Sequence, residues 1–160
     1  MYHMSDLVDV LSDVGLRTGE ILSRADVHRL GKRHRAVHLY ILNSKDEVLL
    51  QKRALTVDHY PGLFGISVTG HVQAGEFSSH AVRREVLEEL GLDASHWTLH
   101  FLFSFFQAAV LSKTYLDHQF NDIYVTCTDI DPSVIEFDRS EIAELRFVPF
   151  RDFSQDGGRG

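Results

Sequence analysis

Cysteine and proline are scarce in this chain of 160 residues, with one Cys127 and three prolines. A lone thiol forms no internal disulfide, which fits a reducing compartment. So few prolines leave no Pro-rich linker to divide the chain. No apolar run approaches the roughly eighteen residues of a membrane-spanning helix, so no membrane partner is expected. The opening stretch MYHMSDLVDV carries acid where a secretory signal carries base, and a cytoplasmic location is the expectation. Base is also in short supply: 16 Lys and Arg stand against 23 Asp and Glu, a net charge of −7. That balance argues against a nucleic-acid polymer as partner. An acidic chain can still handle phosphates when metal ions bridge the like charges, so the placement of the acids matters more than their number.

What is present suffices for one core. Hydrophobic residues make up 44% and charged residues 24%, ordinary values for one globular domain. A single domain over 1–160 is expected, ordered over about 7–153, with a loose tail at 154–160 that has no apolar residue. Leu7–Leu11 and Gly19–Leu22 flank a Ser12-Asp13-Val14-Gly15 turn and read as a short hairpin. Ala25–Lys32 reads as a helical turn stopped by Gly31, and Ala36–Leu42 with Glu47–Gln51 as the clearest hairpin. Ile66–Val68, Trp97–Ala109, Phe120–Cys127 and Arg146–Phe150 read as further strands, and Asp138–Leu145 as helix or turn. Many strands around few helices predict an α+β domain.

Ser79–Leu90 is the one long helical pattern. Val82, Val86 and Leu90 repeat every four positions, with Leu87 beside them, as a buried face. Glu85, Glu88 and Glu89 stand at i, i+3 and i+4, so their carboxylates share one patch. Like charges at that spacing destabilise a bare helix by about 0.2–0.5 kcal/mol per pair, and something should compensate. Mg2+ or Mn2+ fits, because hard cations take clustered oxygen ligands. The bland alternative, a solvated acidic helix face, accounts equally well for three glutamates taken alone. Ahead of the helix lies Gly70-His71-Val72-Gln73-Ala74-Gly75-Glu76, whose glycines permit a main-chain carbonyl to face the same ions. Gly91 supplies the left-handed stop past the helix end.

Together, Gly70, Glu76, Arg84, Glu85, Val86, Glu88, Glu89, Gly91 and Leu92 resemble the Nudix box at every defining position. The hairpin before the box, Pro61-Gly62, and the stretch Glu141–Pro149 resemble the usual layout around it. The resemblance implies an α/β/α sandwich with a mixed β-sheet, and metal-dependent hydrolysis of a nucleoside diphosphate linked to another group. Glu85, Glu88, Glu89 and the Gly70 carbonyl would hold Mg2+ (or Mn2+), while Glu76, Arg84 and Gly91 would be structural. Glu85 is the first choice for general base, with Glu141 or Glu144 in competition, unless those two are simply surface acids.

Ser67–Val72, Leu50–Leu55 and the region Asp9–His38 further resemble isopentenyl-diphosphate isomerase and its hydrolase relatives, which share an extra N-terminal β-hairpin. That isomerase uses a cysteine before the Gly-His pair and a later glutamate. Here those positions hold Thr69 and, by alignment of Asp117–Phe120, Gln119. A threonine hydroxyl is far too weak an acid, and an amide is no general acid or base at all. The intact box and these two changes favour a hydrolase over an isomerase. A nucleotide-sensing module without catalysis is a further alternative, although it has no need of three metal-binding glutamates. His28, His34 and His71 lie near the isomerase's metal-binding histidines and could hold a second metal, zinc or manganese, or could be ordinary polar residues. Lys52, Arg53 and His71 could meet a substrate phosphate, with a solvated strand end as the alternative for the two basic residues. Phe101, Phe103, Phe105 and Phe106 could stack on a base, but alternating aromatics on a strand point more to core. The expected partner is a small phosphorylated molecule; a homodimer is compatible with the sequence.

Overall fold

The computed structural model describes residues 6–57 and 60–152. Strands β1 (Leu7–Leu11) and β2 (Arg17–Ser23) form an antiparallel hairpin, followed by helix α1 (Arg24–Leu30). Ser23 caps α1 by accepting from the Asp26 N–H, and Gly31 ends it in the left-handed conformation at φ 68°. Then come β3 (His34–Leu42), β4 (Glu47–Arg53), β5 (Phe64–Gly65), β6 (Val68–His71), α2 (Ser78–Leu90), β7 (His100–Ser112), β8 (Tyr115–Cys127) and β9 (Ile142–Pro149). The expected tail at 154–160 lies outside the described residues. No helix among those described is long and apolar enough to cross a membrane.

The seven later strands form one mixed sheet in the order β5-β4-β3-β8-β7, with β6 also on β3 and β9 on β4. β3 runs parallel to β8 and antiparallel to β4 and β6. The expected β3–β4 hairpin forms, but it opens at once: Leu42 faces Val48, while Ala36–Leu39 pair with β6 instead. Ser67 fills the split. Its hydroxyl accepts from the Ile41 N–H at 2.9 Å and donates to the Leu49 carbonyl at 2.5 Å, satisfying backbone groups that the diverging strands leave behind.

One face of the sheet carries Val37, Leu39, Ile41, Leu49 and Tyr124, and onto it α2 packs Ala81, Val82, Val86 and Leu90. Successive strand residues alternate sides, so His34, His38, Thr69 and His71 project from the opposite face, where α1 brings His28. The two helices thus lie on opposite faces of a mixed sheet, with the extra hairpin beside them, in keeping with the α+β sandwich expected.

Three expectations need correction. Of the two readings of Asp138–Leu145 the turn holds, and only for its start: the Asp138 carboxylate accepts from the Ser140 N–H and hydroxyl, and from Ile142 the chain is already strand and joins β4 as β9. Leu87 is exposed, because the face of α2 turned to the sheet is that of Ala81, Val82, Val86 and Leu90 and Leu87 falls to its side. The phenylalanines of β7 are not core: Phe101, Phe103, Phe105 and Phe106 are all exposed, since β7 is a border strand with no described neighbour on its outer side.

Candidate active site

Arg84 organises the loop in front of α2. Its Nε and Nη2 donate to the two oxygens of Glu76 at 2.9 and 3.0 Å, and Nη2 also donates to the His71 carbonyl at 2.9 Å. Glu76 in turn accepts from the Gln73 N–H at 3.0 Å. Burial disfavours the charged forms of both partners, yet their mutual bonds and charges outweigh it, lowering the Glu76 pKa and raising that of Arg84. The 70–76 loop is thereby stapled to the first half of α2. Arg84→Ala leaves the Glu76 carboxylate buried without its counter-charge and is expected to cost about 3–5 kcal/mol of stability, measured by urea unfolding.

The remaining nitrogen of Arg84 gathers the acids. Nη1 donates to Glu85 Oε1 at 2.9 Å and to Glu88 Oε2 at 3.1 Å. Glu85 lies against Gly70 so closely that a Cβ there would overlap its carboxyl group. Burial is the first cause of a raised Glu85 pKa. Glu89 is more extreme: burial, then the charge of Glu85, push its pKa well up, with Glu141 and Glu88 adding to the effect and a bond from Gln51 opposing it. Its Oε2 is buried with no hydrogen-bond partner. A buried carboxylate oxygen left without a donor, among three further acids, is the arrangement a hard divalent cation completes. The donor set present, carboxylates beside the Gly70 backbone, fits Mg2+ or Mn2+. Gly91 ends α2 at φ 66°, its N–H bonding to the Leu87 carbonyl.

The late-segment acids part company. Glu141 is close enough for its charge to act on Glu89, whereas Glu144 is held by Arg146 at 2.7 Å and faces Lys52 across β4–β9. Lys52 places its ammonium over the Phe64 ring at 5.8 Å. Arg53 lies near enough to Tyr115 for its charge to act on the phenol.

A second cluster stands on the opposite face of the sheet. His28, His34 and His71 bring one nitrogen each within 4.8 Å of one another. His71 Nε2 and His28 Nε2 are 3.4 Å apart. His34 Nδ1 lies 3.2 Å from the Lys32 carbonyl, which assigns the proton to Nδ1 and leaves a lone pair on Nε2. That Nε2 is buried without a hydrogen bond and faces Asp117 Oδ1 at 3.7 Å; His28 Nε2 faces the same oxygen at 3.8 Å. Burial lowers the pKa of His34 and lowers that of His71 far more, with the charge of Arg24 next in order for His71, so neutral, ligating imidazoles are favoured. Thr69 pairs across from His38 on β6, and Gln119 donates to Asn121 Oδ1 at 2.7 Å.

Arg24 escaped sequence reasoning. At the start of α1 it lines a cavity of about 330 Å3 with Ser23, His28 and Tyr115. Its charge acts on His34, His71, Glu85 and Tyr115. Nothing in a lone arginine beside Ser23 signals this; only the packing of α1 against β8 does. Gln51, on the strand that precedes the box, was also passed over and bonds to Glu89.

Comparison with known proteins agrees with this geometry. The family pattern described as NUDIX domain matches residues 32–159. The chain is 34% identical over 150 residues to Nudix hydrolase 3 of Arabidopsis thaliana, covering 91% of this chain but 19% of that protein. It is 32% identical over 125 residues to isopentenyl-diphosphate Delta-isomerase 2 of Photorhabdus laumondii, covering 78% of this chain and 67% of that one. Its fold superposes on the crystal structure of DR0079 from Deinococcus radiodurans with a TM-score of 0.74 at 21% identity, over 96% and 90% of the two chains. The box residues stapled by Arg84, the mixed sheet they sit on and the match over most of the chain lead to one conclusion: the protein belongs to the Nudix domain family.

Proposed function

We propose that the chain is a divalent-metal-dependent pyrophosphohydrolase that cleaves a diphosphate linkage in a nucleoside diphosphate-type substrate by attack of water on phosphorus. The observation that carries this reading is the buried, partnerless Glu89 Oε2 in a patch with Glu85 and Glu88, set against Gly70, where a Cβ would run into the Glu85 carboxyl group. Glu85, Glu88, Glu89 and the Gly70 carbonyl are assigned to Mg2+ or Mn2+. When bound, the cation supplies charge neutralisation for the phosphate oxygens and activation of the attacking water.

The protein's own groups do the rest. Arg84 fixes Glu85 and Glu88 by hydrogen bonds and leaves Glu89 without one from any arginine. Glu89, the carboxylate of the patch that no arginine holds, is assigned as the proton acceptor. Arg24 and Arg53 offer cations for the substrate phosphates. His71, partly buried and with its charged form disfavoured by desolvation, is suited to a hydrogen bond with the diphosphate and not to an ion pair. The relative named an isomerase keeps a second reading in play, favoured by one observation: the three histidines do come together. We assign them, with Asp117, to a second site for zinc or manganese, because His34 Nε2 is an unused buried acceptor facing a carboxylate. Isomerisation itself lacks its acid and base at Thr69 and Gln119.

The test is a panel of nucleoside triphosphates, nucleotide sugars, dinucleotide polyphosphates and coenzymes, assayed for phosphate or nucleotide release with Mg2+ and with chelator. Metal-dependent release from at least one class, lost in Glu88→Gln, is expected. In parallel, isopentenyl diphosphate should be left unchanged by the unaltered chain, while a Thr69→Cys/Gln119→Glu variant gains measurable isomerisation. Isomerisation by the unaltered chain would overturn the hydrolase reading.

A further inference from the structure

Helix α2 begins without a side-chain cap: Phe77 stands at the cap position, and the first turn holds no acid. A helix of this kind relies on its neighbours to fix the chain that enters it. For α2 those neighbours include the N-terminal hairpin, which lies outside the residues 32–159 that match the family. Each of the five N–H groups from Val72 to Glu76 has an acceptor. Gln73 and Glu76 bond within the loop, and Val72 donates to the Arg35 carbonyl of β3. The other two are taken by β1: Ala74 donates to the Leu7 carbonyl and Gly75 to Asp9 Oδ2, both at 2.9 Å. β1 shifts register between Asp9 and Leu11, an irregularity of the kind that re-aims a side chain. Arg17 of β2 closes the tie, with Nε 3.3 Å from Asp9 Oδ2 and Nη2 donating to the Glu76 carbonyl at 3.2 Å. A cavity of about 450 Å3 lined by Leu16, Arg17, Arg35, Val72 and Glu76 lies beside these bonds, so polar bonds, more than apolar packing, join hairpin and loop.

We propose that Asp9 and Arg17 are positioning residues for the cation site, acting on it through the 72–76 loop. The proposal rests on the assignment of the cation to Gly70 and the α2 glutamates. Direct contacts run the whole way. Asp9 holds the Gly75 N–H, Arg17 holds the Glu76 carbonyl, the Glu76 carboxylate binds Arg84, and Arg84 binds Glu85 and Glu88. The same loop begins at Gly70, against which Glu85 lies. A loop released at Gly75 lets the Gly70 carbonyl and the glutamates drift out of their common geometry, and cation affinity falls when the groups behind the ligands are loosened. The hairpin is anchored without help from the loop. Val8, Val10 and Val27 form a small core of their own with Leu22 against it. The Leu11 N–H donates to the Arg33 carbonyl, and Arg35 donates to the Gly15 carbonyl in the hairpin turn.

Titration calorimetry with Mg2+ on the intact chain is expected to show about tenfold weaker binding in Asp9→Ala, the lower end of the roughly 10–100-fold that changes behind the ligands cost a metal site. The Mg2+ concentration for half-maximal turnover should rise by the same factor, with KM for the diphosphate at saturating Mg2+ unchanged. Asp9→Asn keeps an acceptor for the Gly75 N–H and should retain most of the affinity. Asp13→Ala, in the exposed turn of the same hairpin, should retain all of it. Asp9 belongs to neither apolar core, so Asp9→Ala should fold; if it does not, Arg17→Gln, at a side chain 52% exposed, is expected to weaken Mg2+ binding in the same direction. Amide hydrogen exchange over 72–76, measured without metal, should be faster in Asp9→Ala and reads the tie apart from the cation. Unchanged exchange, or unchanged Mg2+ affinity whatever the Tm does, would overturn the proposal. An unaltered chain that binds no Mg2+ would instead overturn the cation assignment, and the proposal with it.

Discussion

Glu89→Gln is expected to lower kcat by about a thousandfold or more while leaving the fold as stable as before or slightly more so. The two effects have one cause. In the metal-free chain the Glu89 carboxyl is buried beside Glu85, with the charges of Glu141 and Glu88 also acting on it, and burial followed by those charges makes its ionised form costly. Glutamine keeps the shape and the bond with Gln51 but removes the charge, so folding loses a repulsion. Catalysis loses a general base, a change that alone accounts for roughly a hundredfold to ten-thousandfold, together with one oxygen of the cation site. Steady-state kinetics with Mg2+ and thermal unfolding without it measure the two sides. Full activity in Glu89→Gln would remove Glu89 from the reaction; a collapsed Tm would show that the carboxylate is structural.

Saturating Mg2+ is expected to raise Tm by about 5–10 °C near pH 8, since binding at a hundred times Kd contributes about 2.7 kcal/mol, and a chain of this size gains roughly 2–4 °C per kcal/mol. The increment should shrink as pH falls. Glu85 and Glu89 both have folded pKa values above the ordinary 4.5, mainly through burial. From pH 4.5 upward through those raised values, the folded state holds protons that the unfolded chain has released, so the metal-free protein loses stability as pH rises. A bound cation takes the place of those protons and cancels the loss, which makes its effect largest at high pH and small near pH 5. His34 and His71 act in the opposite sense: lowered by burial, they contribute stability above 6.5 that is lost as pH falls through their folded values. The Mg2+-induced difference at each pH, compared with that of Glu89→Gln, separates the carboxylates from the histidines. A Tm increment independent of pH, or one retained in full by Glu89→Gln, would place the cation elsewhere.

Much of the site was legible because it is local. Glu85, Glu88 and Glu89 lie within one helical turn, so spacing put them on one patch, and the resemblance to the Nudix box joined Gly70, Glu76 and Arg84 to them over a short loop. The histidine cluster was only half legible. His28, His34 and His71 come from a helix and two strands, and their approach to 4.8 Å depends on α1 crossing the sheet face opposite α2. Arg24, on the same short helix, was invisible for the same reason. The β7 phenylalanines were misread because strand periodicity reports alternation but not whether a neighbour covers the strand; a border position turns the same pattern outward. Asp138–Leu145 was ambiguous because Asp138 and Ser140 suit either a helix cap or a tight turn, and pairing with β4 decides between them.

The most direct test is hydrolysis in 18O-labelled water with Mg2+, using the best substrate of the diphosphate panel and mass spectrometry of both products. The expected result is one 18O atom in the phosphate of one product, none in the organic group, and no turnover in chelator. Label in the organic group, or unchanged turnover without a divalent cation, would contradict attack on phosphorus at the α2 carboxylates.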